Sequence, residues 1–418
     1  MPKAESNLNY SSFFTEKLFF WSCLVFLFGL FFSRAILSIS CVLLLAAAGA
    51  DYYFNSKKLD VKPYIWLFPI IYIALIFSGL YSEDITQWQI MLFKNSIYII
   101  IPLAFLFVKK PNLKQLNILF LSFIFYCLVC LSINSISAVI NYHQFLNDVA
   151  NSKNIKPLIG PDHSELGVLS VVAFVLLIYL IIKCKTIKNK LFLGLLLILL
   201  IFELHFIAYR FSIISIYLLT FLYSFKELIF YKKMKYVWAI VIVAFIMMFS
   251  ILMIPSIKNR YKNTITDFKS IVENKNPNYE SVGQRWAAIK CAFEIIKKNP
   301  ILGVSAADAS LKMQQQYGVN SYFLIPENRI FIHNQFVYFV LCFGCPFSIL
   351  FMFFLGFTIY KGSQNQHLLI WVILPFLFHM MIENTLEKQM TANAFIFFWL
   401  LLNIKKTENN SAVTQKTN

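Results

Sequence analysis

Twelve stretches of nearly unbroken apolar side chains, joined by short polar connections, constrain this chain more than any motif in it. They fall at 18–33, 35–50, 63–80, 89–108, 116–140, 165–182, 191–209, 211–225, 236–254, 335–360, 367–384 and 391–404. A helix needs about 20 predominantly apolar residues to cross the hydrocarbon core of a bilayer, with a range of roughly 17–25. Only 14% of the residues are charged, against roughly 25% in soluble proteins. The expected fold class is therefore all-α: a polytopic membrane bundle of about 12 transmembrane helices. The first run lacks a small-residue cleavage site and a second follows at once, so it reads as a retained helix and not a signal peptide.

The net charge of +17 is not a nucleic-acid signature, because the lysines cluster in short connections between apolar runs, the pattern of cytoplasmic loops. With the N-terminus inside, the inside segments hold twenty Lys and Arg and the short outside connections hold five: Arg34, Lys153, Lys156, Arg210 and Lys388. Both termini are then expected in the cytoplasm. The expected organisation is nine helices over 1–254, a large outer loop over 255–334, three helices over 335–404 and a polar cytoplasmic tail over 405–418.

A loop of about 80 residues carries structure or function of its own. Within it, "SVGQRWAAIKCAFEIIKKNPILG" has the grammar of an amphipathic helix lying on the bundle as a cap. Trp286, Ile289, Phe293 and Ile296 recur at helical spacing, Lys297 and Lys298 suit the C-terminal dipole, and Asn299-Pro300 stops the helix.

Charged groups near the outer ends of the runs each carry two readings. Arg285, in the first turn of the cap helix, is either an arginine reaching for the interface or, with the free N–H groups of the helix N-terminus, an anion site. Arg210, the sole cation between the seventh and eighth runs, is a hairpin residue or a second anion clamp on the same side. Lys94 lies within the fourth run, where ionisable groups cost roughly 2.5–3.5 kcal/mol and are functional candidates. Glu203, His205 and Glu383, near outer ends, are candidate partners for these cations. His333, in "FIHNQFVYFVLCFG", is a hydrogen-bonded structural group or a catalyst, with Asn334 and Gln335 beside it.

Absences narrow the function. No G-x-x-x-x-G-K-[ST] stands here to cradle a nucleotide, no D-x-D to bind a metal-nucleotide sugar and no G-x-S-x-G. His143 and His163, with Asp162 and Glu165, lack metal-binding spacing, so no metal or other cofactor is expected. Cys127 and Cys130 are neighbours on one helical face and read as packing.

The segment from Asn259 to Pro300, "NRYKNTITDFKSIVENKNPNYESVGQRWAAIKCAFEIIKKNP", resembles the N-R-Y and G-x-R pattern of the O-antigen ligase family. "IHNQFVYFVLCFG" is similar to that family's H-N-[EQ] before a membrane helix, Arg210 to its arginine after the seventh helix, though in an "IAYR" context, and Lys94 to its lysine in the fourth. The resemblance implies transfer of a polysaccharide from undecaprenyl pyrophosphate to a hydroxyl of the lipid A–core oligosaccharide. The reaction would run without nucleotide or metal at the periplasmic face of a Gram-negative inner membrane, and the outer loop would be a periplasmic cap. It assigns His333 as the base, Arg210 and Arg285 as catalytic and pyrophosphate-binding cations with Lys94, and Asn334, Gln335 and Glu383 as supporting groups. An O-antigen polymerase using the same donor is the neighbouring reading. A flippase or transporter is the non-enzymatic one, disfavoured because no two halves of the chain resemble each other and the charges gather at the outer face.

Overall fold

The computed structural model describes residues 3–55, 61–108, 111–150, 157–207, 209–253, 255–273, 276–278, 280–365 and 367–403; the tail expected at 405–418 lies outside them. All regular structure among the described residues is helical, with no strand among them. In chain order the helices are α1 (Lys3–Phe32), α2 (Arg34–Asn55), α3 (Leu67–Ser78), α4 (Ile85–Lys94), α5 (Ile97–Leu106), α6 (Leu113–Ile140), α7 (Tyr142–Ala150), α8 (His163–Lys183) and α9 (Ile187–Ile207). They continue as α10 (Arg210–Tyr231), α11 (Lys235–Met253), α12 (Pro255–Val272), α13 (Ser281–Lys298), α14 (Ala309–Val319), α15 (Gln335–Asn365), α16 (His367–Met380) and α17 (Gln389–Asn403).

A helical segment stands at each of the twelve apolar runs, and among the described residues seven are long and apolar enough to cross a membrane by length and composition: Arg34–Phe54, Ile85–Leu106, Leu113–Ile140, His163–Lys183, Ile187–Ile207, Arg210–Tyr231 and Gln335–Gln364. Lys17–Phe32, Pro63–Ser78, Lys235–Phe249 and His367–Met380 are shorter apolar helices. Burial separates inner helices from outer ones. In α17 every residue from Met390 to Asn403 is buried, and α8 is buried along most of its length. The outer helices turn large apolar side chains such as Phe93, Phe202 and Phe353 outward, the arrangement of a protein whose outer solvent is lipid. Buried polar groups inside find protein partners: Asn393 donates to the Gln389 carbonyl one turn back at 2.7 Å, and the Trp399 indole reaches across to that of Tyr64 at 3.0 Å.

The fourth run is not one helix. It breaks at a turn, Asn95–Ser96, so Lys94 ends α4 with an exposed side chain inside the Ile85–Leu106 segment. The long connection over 255–334 contains helices, as expected: α12, α13 and α14 fill most of it. Its central helix keeps the expected bounds, and of the expected apolar face Ile296 is buried and Ile289 half-buried, but the face turned inward is rotated away from the aromatics. Trp286 and Phe293 are exposed, while Ala287, Ala288, Cys291, Ala292, Ile295 and Ile296 are buried. The small side chains let α13 lie close against α14 and α15, with which it packs, and close approach outweighs the larger area an aromatic face would bury.

The cap is keyed into a break in α15. Gly344 has φ +79°, and Pro346 offers no N–H to the carbonyl of Cys342, so the helix leaves backbone groups without intrahelical partners. Residues 300–305 take them up. Val304 and Ser305 N–H donate to the carbonyls of Leu341 and Cys342 at 2.9 and 3.1 Å, and Cys345 N–H donates to that of Pro300 at 2.8 Å. The Tyr81 hydroxyl adds a bond to the Leu302 carbonyl at 2.7 Å.

A Cβ on Gly344 would overlap the Ile301 carbonyl. Gly344→Ala should therefore cost about 2–4 kcal/mol from strain and overlap. Gly356→Ala, in open space on the same helix, should be neutral or gain up to about 1 kcal/mol. Thermal unfolding of the two purified variants in detergent checks the contrast.

Candidate active site

The α16–α17 connection, residues 381–388, is fastened from several sides. Asn384 donates to the Ile332 carbonyl at 2.7 Å, Leu386 N–H to the Gln335 side-chain oxygen at 2.8 Å, and Asn334 to the Met381 carbonyl at 2.9 Å. The Tyr98 hydroxyl donates to the Leu386 carbonyl, and Thr385 bonds His379 Nδ1 at 2.9 Å. Asn334 also caps α15, its Oδ1 accepting from the N–H groups of Phe336 and Val337 at 3.0 Å each. Asn334 and Gln335 thus hold the connection in place. Neither is bonded to the His333 ring.

What the connection holds in place is Glu383, whose side chain is nearly buried. Its Oε1 accepts from Arg285 Nη2 at 2.9 Å; its Oε2 lies 3.0 Å from His333 Nδ1 and 3.1 Å from Lys388 Nζ. Burial alone would push the Glu383 carboxyl up. The hydrogen bond with His333 and the charges of Lys388, His333 and Arg285 outweigh that and hold it well below the usual carboxylate range. An ionised carboxylate only accepts hydrogen bonds, so the His333 proton sits on Nδ1. Its Nε2 bonds no described residue, and the side chain is 33% exposed. Lys388 is steadied by a 2.7 Å bond to Ser164 at the start of α8. Two permanent cations against one carboxylate leave the cluster with surplus positive charge.

Of the residues expected here, His333, Arg285 and Glu383 come together. Arg210, the first residue of α10, lies near enough to Arg285 and Asp267 to interact electrostatically, and its buried Nε bonds no described residue. Lys94 does not join the cluster. Its charge acts on Glu387, whose carboxyl burial pushes up against the pull of Lys94 and the hydrogen bond from Tyr338. Glu203 and His205 pair elsewhere, with Ser132 at 2.5 Å and with Tyr217 at 2.7 Å. Lys388 was read from sequence only as a loop charge, and nothing but its place five residues after Glu383 hinted at more. Among the described residues no three His, Cys, Asp or Glu side chains gather as a metal cluster.

The family model described as O-Antigen ligase matches residues 209–352. That stretch holds Arg210, Arg285 and His333, and Glu383 and Lys388 lie beyond it. No curated protein matches the chain.

The lowered carboxyl sets a pH signature. A group with a depressed folded-state value contributes stability above its unfolded value, near 4.5, and loses it as pH falls through the folded one. Wild-type stability from this cluster should persist at neutral pH and begin to fall only below about pH 4.5. Glu383→Gln should cost about 2 kcal/mol at pH 7, less than the ~3–5 kcal/mol of a fully buried pair, because Arg285 is 39% exposed. It should also flatten the acid limb; unfolding temperature measured against pH for both proteins checks this.

Proposed function

We propose, from the similarity of residues 209–352 to the O-antigen ligase family model and from the apolar helices of the bundle, that this multi-pass membrane protein is a glycosyltransferase of lipopolysaccharide assembly. Its reaction moves a polysaccharide from undecaprenyl pyrophosphate to a hydroxyl of the lipid A–core oligosaccharide. In this reading α12–α14 form a periplasmic cap over the bundle, the membrane is the Gram-negative inner membrane, and about twelve helical segments lie at membrane depth with both termini cytoplasmic. The observation that carries it is the Glu383 hub, which joins an arginine of α13 to a histidine at the head of α15.

The chemistry follows from which atoms remain available. The acceptor O–H loses its proton to His333 Nε2 as its oxygen attacks the anomeric carbon of the donor. The bond from that carbon to the phosphate oxygen breaks, and undecaprenyl pyrophosphate departs with the electron pair. A single displacement inverts the anomeric centre. Glu383 accepts from Nδ1–H throughout, so it fixes the ring tautomer and stabilises the imidazolium that forms. Arg285 and Arg210 face charge developing on the leaving phosphate, and Arg suits phosphate because its donors form a rigid fork. Lys388 lies on the other side of the hub and adds to the same positive field. Lys94, whose charge acts on Glu387 in the same connection, adds to the positive field that draws the donor. Membrane lipids surround the site, and the donor's polyprenyl chain stays among them.

An O-antigen polymerase would use the same hub with a lipid-linked repeat as acceptor. Purified protein given lipid-linked donor should transfer polymer to lipid A–core glycolipid. His333→Ala and Arg285→Ala should each lower the rate at least 100-fold while eluting as wild type on gel filtration. Arg285→Lys should recover only part of the loss. Wild-type rates in both alanine variants would overturn the mechanism, and transfer only onto lipid-linked repeats would make the protein a polymerase.

A further inference from the structure

A cavity of about 650 Å³ opens at the far end of α13 and includes none of Arg210, Arg285, His333 or Glu383 in its lining. Its volume is in the range of small-molecule sites. Arg285 and Lys298 are thirteen residues apart on one helix, which sets the cavity about 20 Å from the hub.

Its walls are fixed in advance. One wall is the 300–305 segment keyed into the α15 break, where Gly303 and Ser305 both take positive φ (+71° and +68°). A non-glycine residue in that region stores strain and persists only where its surroundings enforce it. Another wall is residues 81–83, drawn in by the nearly buried Asp308. Its carboxylate accepts from the N–H groups of Glu83 and Asp84 at 2.9 and 3.0 Å and from the Ser82 hydroxyl at 3.3 Å. The third is one face of α14.

The chemistry of the lining is balanced. Lys312 pairs with Glu83 at 2.6 Å, and the Asp308 carboxylate is taken up by its backbone donors. What remains is Lys298, bonded to Gln316 at 3.2 Å, and the exposed Gln315 amide. A lining of balanced charge with amide donors and acceptors matches a polyhydroxylated ligand better than a phosphate. Beside these polar groups stand exposed apolar ones: Ile301 at 68%, Leu302 at 60% and Val319 at 83% exposure.

Their depth is set by α15. Its two helical stretches meet at Gly344, and the one after it, residues 345–365, runs about 31 Å, the thickness of the ~30 Å hydrocarbon core. The part after Gly344 is enough to cross, so Ile301, which abuts Gly344, comes to the membrane boundary. Cys345, bonded to Pro300, heads an exposed apolar line one and two turns on at Ile349 and Phe353. The ligand that fits carries sugar hydroxyls at the boundary and acyl chains below it.

We propose that this cavity is an acceptor subsite, holding a sugar of the membrane-anchored glycolipid while its reacting hydroxyl lies about 20 Å away at the hub. This rests on the transferase reading above and adds to it a place where the acceptor is recognised. It gives the enzyme a means to select an acceptor by its membrane-proximal sugars, apart from the chemistry.

The test is direct binding of purified lipid A–core glycolipid to the full-length protein in nanodiscs. Lys298→Ala with Gln315→Ala, and separately Val319→Trp to fill the cavity, should each weaken binding about 10-fold. In transfer assays the same variants should raise the acceptor KM with kcat and the donor KM unchanged. His333→Ala should bind the glycolipid as wild type does. Unchanged binding in both cavity variants overturns the subsite even where wild type transfers polymer, and so leaves the transferase reading standing. Equal displacement of the glycolipid by phosphatidylglycerol also overturns it, marking a general lipid site. Weakened binding, in a protein whose transfer activity His333→Ala leaves intact, upholds the subsite while the mechanism at the hub fails.

Discussion

A nearly buried carboxylate has to be surrounded by donors, and much of this structure is arranged around meeting that need at Glu383. An ion taken out of water costs several kcal/mol unless charge and hydrogen bonds compensate. Here the compensation comes from Arg285 on α13, His333 before α15 and Lys388 before α17. Three segments distant in sequence are thereby held at one point. The same requirement gives the histidine its tautomer and leaves the cluster with more positive charge than negative. Placement of α13, orientation of the His333 ring and a surplus of positive charge are three consequences of one desolvated charge.

The hub needs the cap to sit in one position, and the break in α15 provides that. An unbroken helix offers no backbone groups to a neighbour. Gly344 and Pro346 open the ladder, and residues 300–305 close it again with their own N–H and C=O groups. Such irregular backbone persists only where its buried polar groups find partners. The contact that anchors the C-terminal end of α13 thus fixes where Arg285, near its N-terminal end, arrives.

Much of this could be read from the chain. Apolar run length gave the helices, because lipid imposes that length directly, and helix-stop grammar at Asn299-Pro300 gave the bounds of α13. The inward face of α13 was misjudged because periodicity weights large side chains, whereas close packing selected Ala287, Ala288, Cys291 and Ala292. The bend after Lys94 carries no proline or glycine and left no mark in the sequence. His333 and Arg285 were legible as outer-face groups in recognisable motifs. Glu383 was visible only as one of several possible partners. Its bonds reach across 50 and 98 residues, and pairings at that range are set by packing and not by local pattern. Lys388 looked like any loop lysine for the same reason.

The central claim is that Arg285, Glu383 and His333 act as one unit. A double-mutant cycle on transfer rate tests it, with Glu383→Gln and His333→Ala made singly and together. If Glu383 works through the histidine, removing it from a protein already lacking His333 should cost almost nothing further, a coupling of about 1–3 kcal/mol. Losses that simply add would contradict the account and return Glu383 to the role of a structural ion pair.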